Sequence, residues 1–118
     1  MLNFSSRCRY FLFRQPTDMR KSFDGLSGLV RQDGQHQLLS GDVFIFINRR
    51  FNRIKLLMWQ STGFALYYKR LEQGTFEKKV FQNEAQTAEL SWAELVLLLE
   101  GVELKNSKKR KRYCRKIP

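Results

Sequence analysis

An α+β fold is predicted, a small antiparallel sheet packed with one helix from the N-terminal half and a short C-terminal helix. Three features of the 118-residue sequence lead to it. Residues 43–48, 53–59 and 64–70 are apolar runs rich in Ile, Leu, Phe and Tyr, with four residues between one and the next. Connections that short cannot carry a crossover, so the runs read as antiparallel hairpins. Met19, Phe23, Leu26 and Val30 recur at the spacing of one helix face. Ser91-Trp92-Ala93-Glu94 has the pattern of a capping box, in which Ser91 bonds the amide of Glu94 and the Glu94 carboxylate returns to Ser91.

In chain order, residues 9–13 read as a short strand. A helix follows over 17–32, with Pro16 fixing its entry and Thr17 or Asp18 as its cap. Arg20 and Lys21 then fall in the first turn, where the positive end of the helix dipole disfavours cations by about 0.3–1 kcal/mol each. Either they are solvated surface charges, or an anion such as phosphate is meant to sit beside that helix start. Gly25 and Gly28 lie inside this helix, where each costs about 1 kcal/mol relative to Ala, and imply close approach of a strand or another helix. A polar connector over 33–41 leads to the three strands. With four-residue loops, residue 48 faces 53 and residue 59 faces 64. One side of the sheet then collects Val43, Ile45, Ile47, Ile54, Leu56, Met58, Ala65 and Tyr67, an aliphatic surface expected to bury against the first helix. The other collects Phe44, Phe46, Asn48, Arg53, Lys55, Leu57, Trp59, Phe64, Leu66, Tyr68 and Arg70, aromatic at one end and basic at the other. Residues 71–89 look variable, and no element is assigned to them. Beyond the capping box, Trp92, Leu95, Val96, Leu98 and Leu99 make a helix too apolar to stand in water, and Gly101 stops it.

Length allows one domain, assigned to residues 1–104. No apolar run approaches the roughly 18 residues of a membrane span, and no secretory signal is recognised. Cys8, Cys114 and the lone His36 lack metal-ligand spacing, so neither a zinc site, another cofactor nor a disulfide framework is expected. A reducing cytoplasm is the expected compartment. The net charge of +11 is uneven: residues 105–118 hold eight basic and no acidic residues, leaving +3 for the remainder. That tail is expected to be disordered when free and to attract polyanions in a salt-sensitive way, its alternative role being a solubilising end. Its run Lys108-Lys109-Arg110-Lys111-Arg112 also has the composition of a nuclear localisation signal.

Pro16-Thr17-Asp18-Met19-Arg20-Lys21, Asp24-Gly25-Leu26, Phe46-Ile47-Asn48-Arg49-Arg50 and Arg53-Ile54-Lys55-Leu56-Leu57 follow one another, then Trp59, Gly63-Phe64 and Tyr68-Lys69-Arg70-Leu71-Glu72. Together with Trp92-Ala93-Glu94-Leu95 and Leu99-Glu100-Gly101, this ordered set resembles TnpB, the small accessory protein of IS-sixty-six type bacterial insertion sequences. The unrelated RNA-guided nuclease of the same letters is not meant. The resemblance runs from about residue 9 to 102. It implies a non-catalytic helper in DNA transposition, encoded beside a separate transposase that is its expected partner. Two departures stand out: Arg14-Gln15 precedes Pro16 where a small residue or Gly is usual, and Gln60-Ser61-Thr62 replaces an acidic, Gly-rich turn.

Transposition raises the question of three carboxylates holding two metal ions. The candidates Asp18, Asp24, Asp33, Asp42 and Glu72 all lie outside the strand centres where such acids project, so no catalytic or metal site is assigned. The basic residues are more coherent. Arg20 and Lys21, the hairpin set Arg49, Arg50, Arg53 and Lys55, the pair Lys69 and Arg70, and the tail run 108–112 are the candidate DNA contacts. Arg53, Lys55 and Arg70 share a face with Tyr68, which suits phosphate contact with base stacking. Edge-strand charges that prevent aggregation are the competing explanation. The resemblance favours DNA, bound through its phosphate backbone, since no helix-turn-helix or zinc-finger pattern is present. The alternative is an adaptor that binds the transposase through the apolar C-terminal helix and the Trp59–Phe64 patch.

Overall fold

The computed structural model describes residues 4–76, 87–103 and 108–109. Strand β1 (Tyr10–Phe13), helix α1 (Phe23–Asp33), strands β2 (Val43–Ile47), β3 (Arg53–Gln60), β4 (Gly63–Arg70) and β5 (Thr87–Leu90), and helix α2 (Trp92–Glu100) follow in order. The five strands form one sheet in the order β4-β3-β2-β1-β5. The α+β class holds. Within it, β1 pairs parallel to β2, so the sheet is mixed, while the other three pairings are antiparallel. Parallel neighbours need a crossover, and α1 supplies it. Strand β5 begins within 71–89, where no element is predicted, and extends the sheet beside β1.

The register of the hairpins is the expected one, with Ile47 opposite Ile54 and Trp59 opposite Phe64. Strands β3 and β4 run on to Gln60 and Gly63, which tightens their connection to Ser61-Thr62 without shifting the pairing. Which helix covers which face is reversed. The aliphatic face (Val43, Ile45, Ile47, Ile54, Leu56) buries under Leu95 and Leu98 of α2. The aromatic face (Phe44, Phe46, Leu57) buries under Leu26 and Val30 of α1. A crossover between parallel strands is confined to one face by its right-handedness, and here that face is the phenylalanine side. Each side chain fully buried in these clusters contributes about 1.5–3 kcal/mol.

Helix α1 begins at Phe23, with Ser22 as N-cap, rather than at residue 17. Four competing bonds hold 17–21 out of the helix. The Thr17 amide donates to the Ile47 carbonyl at 2.8 Å, tying the segment to the end of β2. The Asp18 carboxylate accepts from the Arg20 amide at 2.9 Å, a local turn that rivals helix. The buried Lys55 ammonium donates to the carbonyls of Met19 and Lys21 at 2.7 and 2.6 Å. Arg20 and Lys21 therefore sit in a loop before the helix, and the dipole argument does not apply to them. Among the described residues no strand or helix comes within 4 Å of a Cβ built at Gly25 or Gly28: at Gly25 it would meet the Lys21 side chain at 3.1 Å, and at Gly28 nothing.

Helix α2 has the predicted capping box, Glu94 N–H donating to Ser91 Oγ at 3.1 Å and Ser91 N–H to Glu94 Oε1 at 2.8 Å. Gly101 ends it in the left-handed conformation, φ 73°. Beyond it, strands β6 (Val102–Glu103) and β7 (Lys108–Lys109) pair antiparallel, so the first residues of the basic tail include a short backbone ladder. The rest of the tail run, 110–112, lies outside the described residues. Among the described residues, no helix is long and apolar enough to cross a membrane.

Candidate nucleic-acid interface

The β2–β3 connection presents Arg49 and Arg50 on a heavily braced tip. Asn48 Oδ1 accepts from the amides of Asn52 and Arg53 at 3.0 and 2.9 Å, and Asn48 Nδ2 donates to Asn52 Oδ1 at 2.8 Å. The Phe51 amide donates to the Asn48 carbonyl at 3.1 Å, closing the turn. Phe51 itself is left-handed, φ 57°, a conformation that costs a bulky L-residue about 1–2 kcal/mol. Its side chain packs on the aliphatic core, and its carbonyl accepts from the Phe76 amide at 2.7 Å. A further bond, Leu71 N–H to Asn52 O at 2.8 Å, anchors the other side. Such strain persists only where the surroundings over-determine it, and here they fix the backbone that carries both arginines.

The tip meets the 17–19 loop. Between them is a cavity of about 330 Å³ lined by Thr17, Asp18, Met19, Asn48, Arg49, Arg50, Asn52 and Arg53. Arg49 and Arg50 are exposed, and none of the ion pairs among the described residues involves them or Arg53. Arg53 also lines a second cavity of about 290 Å³ with Tyr68, Arg70 and Glu72. There the Arg70 guanidinium donates to Glu72 at 2.9 Å, and Arg53 Nη1 lies 3.4 Å from the Tyr68 hydroxyl.

The remaining predicted contacts are distributed differently. Arg20 folds onto Asp18 at 2.7 Å, and these bonds hold the Asp18 carboxyl down at about 2. Lys21 lines a separate recess on α1 with Gly25, Gly28 and Arg31. Lys55 is 5% exposed and turned inward. A lysine in the middle of a strand alternates onto the sheet face, and here two loop carbonyls wait beneath that face, so its charge is spent inside the fold. Lys69 is on the opposite face and donates to the Leu99 carbonyl at 2.7 Å, at the end of α2 where the helix dipole favours a cation. Arg49, Arg50, Arg53 and Arg70 are thus brought together, Arg20 and Lys21 stand at the margin, and Lys55 and Lys69 serve the scaffold. Asn48 and Asn52 are not among the candidate contacts read from sequence, and Thr17 is read there only as a helix cap. The paired asparagines around Arg49-Arg50-Phe51 were the signal, since Asn side chains close turns onto nearby backbone.

The acids considered for catalysis are scattered. Asp42 pairs with Arg9 at 3.0 Å, Asp33 lies 3.9 Å from His36, and Asp24 sits in the first turn of α1. Among the described residues, no three His, Cys, Asp or Glu side chains gather as metal ligands.

The chain matches the family described as IS66 Orf2 like protein over residues 8–109. It is 33% identical over 76 residues to the uncharacterized protein y4jC of Sinorhizobium fredii, an alignment spanning 64% of this chain and 65% of y4jC. It is 30% identical over 104 residues to the uncharacterized protein y4hO of the same organism, spanning 87% of this chain and 88% of y4hO. No solved structure matches the chain.

Proposed function

The chain belongs to the IS66 Orf2-like family, and from that premise we propose that it is a non-catalytic accessory protein of DNA transposition that binds DNA and assists a separate transposase. The observation that carries the DNA reading is the braced hairpin tip. Arg49, Arg50 and Arg53, without carboxylate partners among the described residues, converge beside a polar cavity. Arginines carried on a braced backbone and, among the described residues, without carboxylate partners suit phosphate oxygens, which accept two parallel bonds from a guanidinium. The contacts position the protein without reading bases. Lysines and arginines of the tail add non-specific attraction, and a cytoplasmic location agrees with a role on DNA. Fewer groups support an adaptor that binds the transposase and ignores DNA. Leu95 and Leu98 of α2 are buried against the sheet, which leaves the exposed Trp92 of the same helix and the Trp59–Phe64 pair, its rings 5.0 Å apart, as the apolar candidates for that partner.

The test is duplex binding across a salt series for the wild type, Arg50→Ala and Arg53→Ala. Each variant is expected to weaken binding alike on element-end and random duplexes and to reduce the salt slope by about 0.9. A folded wild type that ignores both duplex and single-stranded DNA at moderate salt yet co-elutes with the transposase would establish the adaptor instead.

A further inference from the structure

We infer that Tyr68 is a stacking platform for an unpaired nucleobase, so that the DNA form preferred by this surface is single-stranded or splayed rather than fully paired. The inference rests on the DNA reading above and specifies its substrate.

Tyr68 is 48% exposed, although Lys55, directly opposite it on β3, is 5% exposed. The Lys55 ammonium lies 4.6 Å from the ring centroid. Because that ammonium is buried, it occupies the protein side of the ring, and the other face of the ring is turned to solvent. A cation under one face and two hydrogen bonds holding that cation fix the plane of the ring. The phenol edge meets Arg53 at 3.4 Å, and Arg53 stands directly across from Arg70 on the neighbouring strand. Like charges placed opposite each other destabilise a sheet. Glu72 pairs with Arg70, and among the described residues no carboxylate pairs with Arg53, which makes Arg53 the cation of this group offered to an anion. A cavity lined by Arg53, Tyr68, Arg70 and Glu72 measures about 290 Å³, room for a flat ring system beside Tyr68. Glu72 repels phosphate from the Arg70 side. The backbone therefore runs toward Arg53 and the Arg49–Arg50 tip while the base lies over Tyr68. In a duplex both faces of every internal base are covered by its neighbours, so only an unpaired base can use the platform.

The test compares a labelled mixed-sequence single strand with the duplex made from it, at one salt concentration. The proteins are the wild type, Tyr68→Ala, Tyr68→Phe and Tyr68→Trp. The wild type is expected to bind the single strand more tightly than the duplex. Tyr68→Ala should weaken single-strand binding by about 5- to 150-fold, the range measured for losing one stacked base, and leave duplex binding nearly unchanged. Tyr68→Phe should bind as the wild type does, and Tyr68→Trp should show fluorescence quenching with the single strand only. If Tyr68→Ala does not fold, Tyr68→Leu covers Lys55 without offering a flat face and carries the same expectation. Single-strand affinity unchanged in the Ala or Leu variant, or both DNA forms weakened equally, overturns the platform while duplex binding stands. A wild type that binds neither form overturns the DNA reading and the platform together.

Discussion

Replacing Lys55 by Met separates two roles for one lysine. In the structure its ammonium is buried, donates to the carbonyls of Met19 and Lys21 at 2.7 and 2.6 Å, and lies under the Tyr68 ring. Met keeps most of the stem and removes every donor. Each hydrogen bond from a charged group contributes about 1.5–3 kcal/mol, and the contact with the ring about 0.5–2 kcal/mol. Against this, the variant no longer has to desolvate an ammonium, which returns several kcal/mol, and water can reach part of the loop. The net expectation is destabilisation by about 1–3 kcal/mol. In urea, with a slope of about 1–3 kcal/mol per molar, the midpoint should fall by about 1 M. The salt slope of duplex binding should not change, because a buried ammonium releases no counterion. The opposite pattern refutes the reasoning: an unchanged midpoint with a salt slope reduced by about 0.9 would mean that Lys55 faces solvent and touches phosphate.

Ser91→Ala removes the bond that caps α2 and should cost about 1 kcal/mol by chemical denaturation; a change below a few tenths would show that the capping box contributes nothing. Asp18 has its folded-state pKa lowered from 3.8 to about 2, chiefly by its side-chain bond with Arg20. The contribution of that pair is therefore complete above about pH 4 and lost as pH falls toward 2. The Arg20 amide resonance should follow that transition and lose it in Asp18→Asn, whereas a midpoint near 4 in the wild type would count against the pairing. Deleting residues 110–118 should leave the unfolding midpoint in place while lowering polyanion affinity and its salt slope. A large loss of stability would make those residues structural.

Much of the sheet was legible because a side-chain period of two leaves few registers once one face is apolar. Ile45, Ile54 and Leu56 sit together as the alternation requires, and the Ser91–Glu94 box is local chemistry that needs no tertiary context. The pairing of β1 was not legible: four apolar residues carry no information about strand direction, and the parallel choice follows from where α1 returns the chain. For the same reason the two helices could not be assigned to faces, since both faces of β2 are wholly buried and either helix suits either one. Residues 87–90 are only half apolar and pair at a sheet edge, which hides them from a hydrophobicity reading.

The candidate site was half legible, and the two halves differ for a physical reason. Arg49 and Arg50 lie between strands, where a charge has nowhere to go but outward, so exposure follows from position alone. Lys55 lies within a strand, where its fate depends on acceptors contributed by another part of the chain. Met19 and Lys21 provide those acceptors only because their segment is not helical: in a helix reaching back to residue 17, their carbonyls would be committed to amides four residues ahead. The late start of α1 and the inward turn of Lys55 are thus one event seen from two ends. Its consequence reaches the surface. The same ammonium that holds the 17–21 loop supports the ring of Tyr68, and Tyr68 borders a second cavity whose other wall includes Arg53, the residue that also lines the cavity at the tip. A lysine withdrawn from direct contact with DNA therefore orients two groups assigned to that contact. Loss of single-strand affinity in Lys55→Met, with the salt slope intact, is the signature expected of that indirect role.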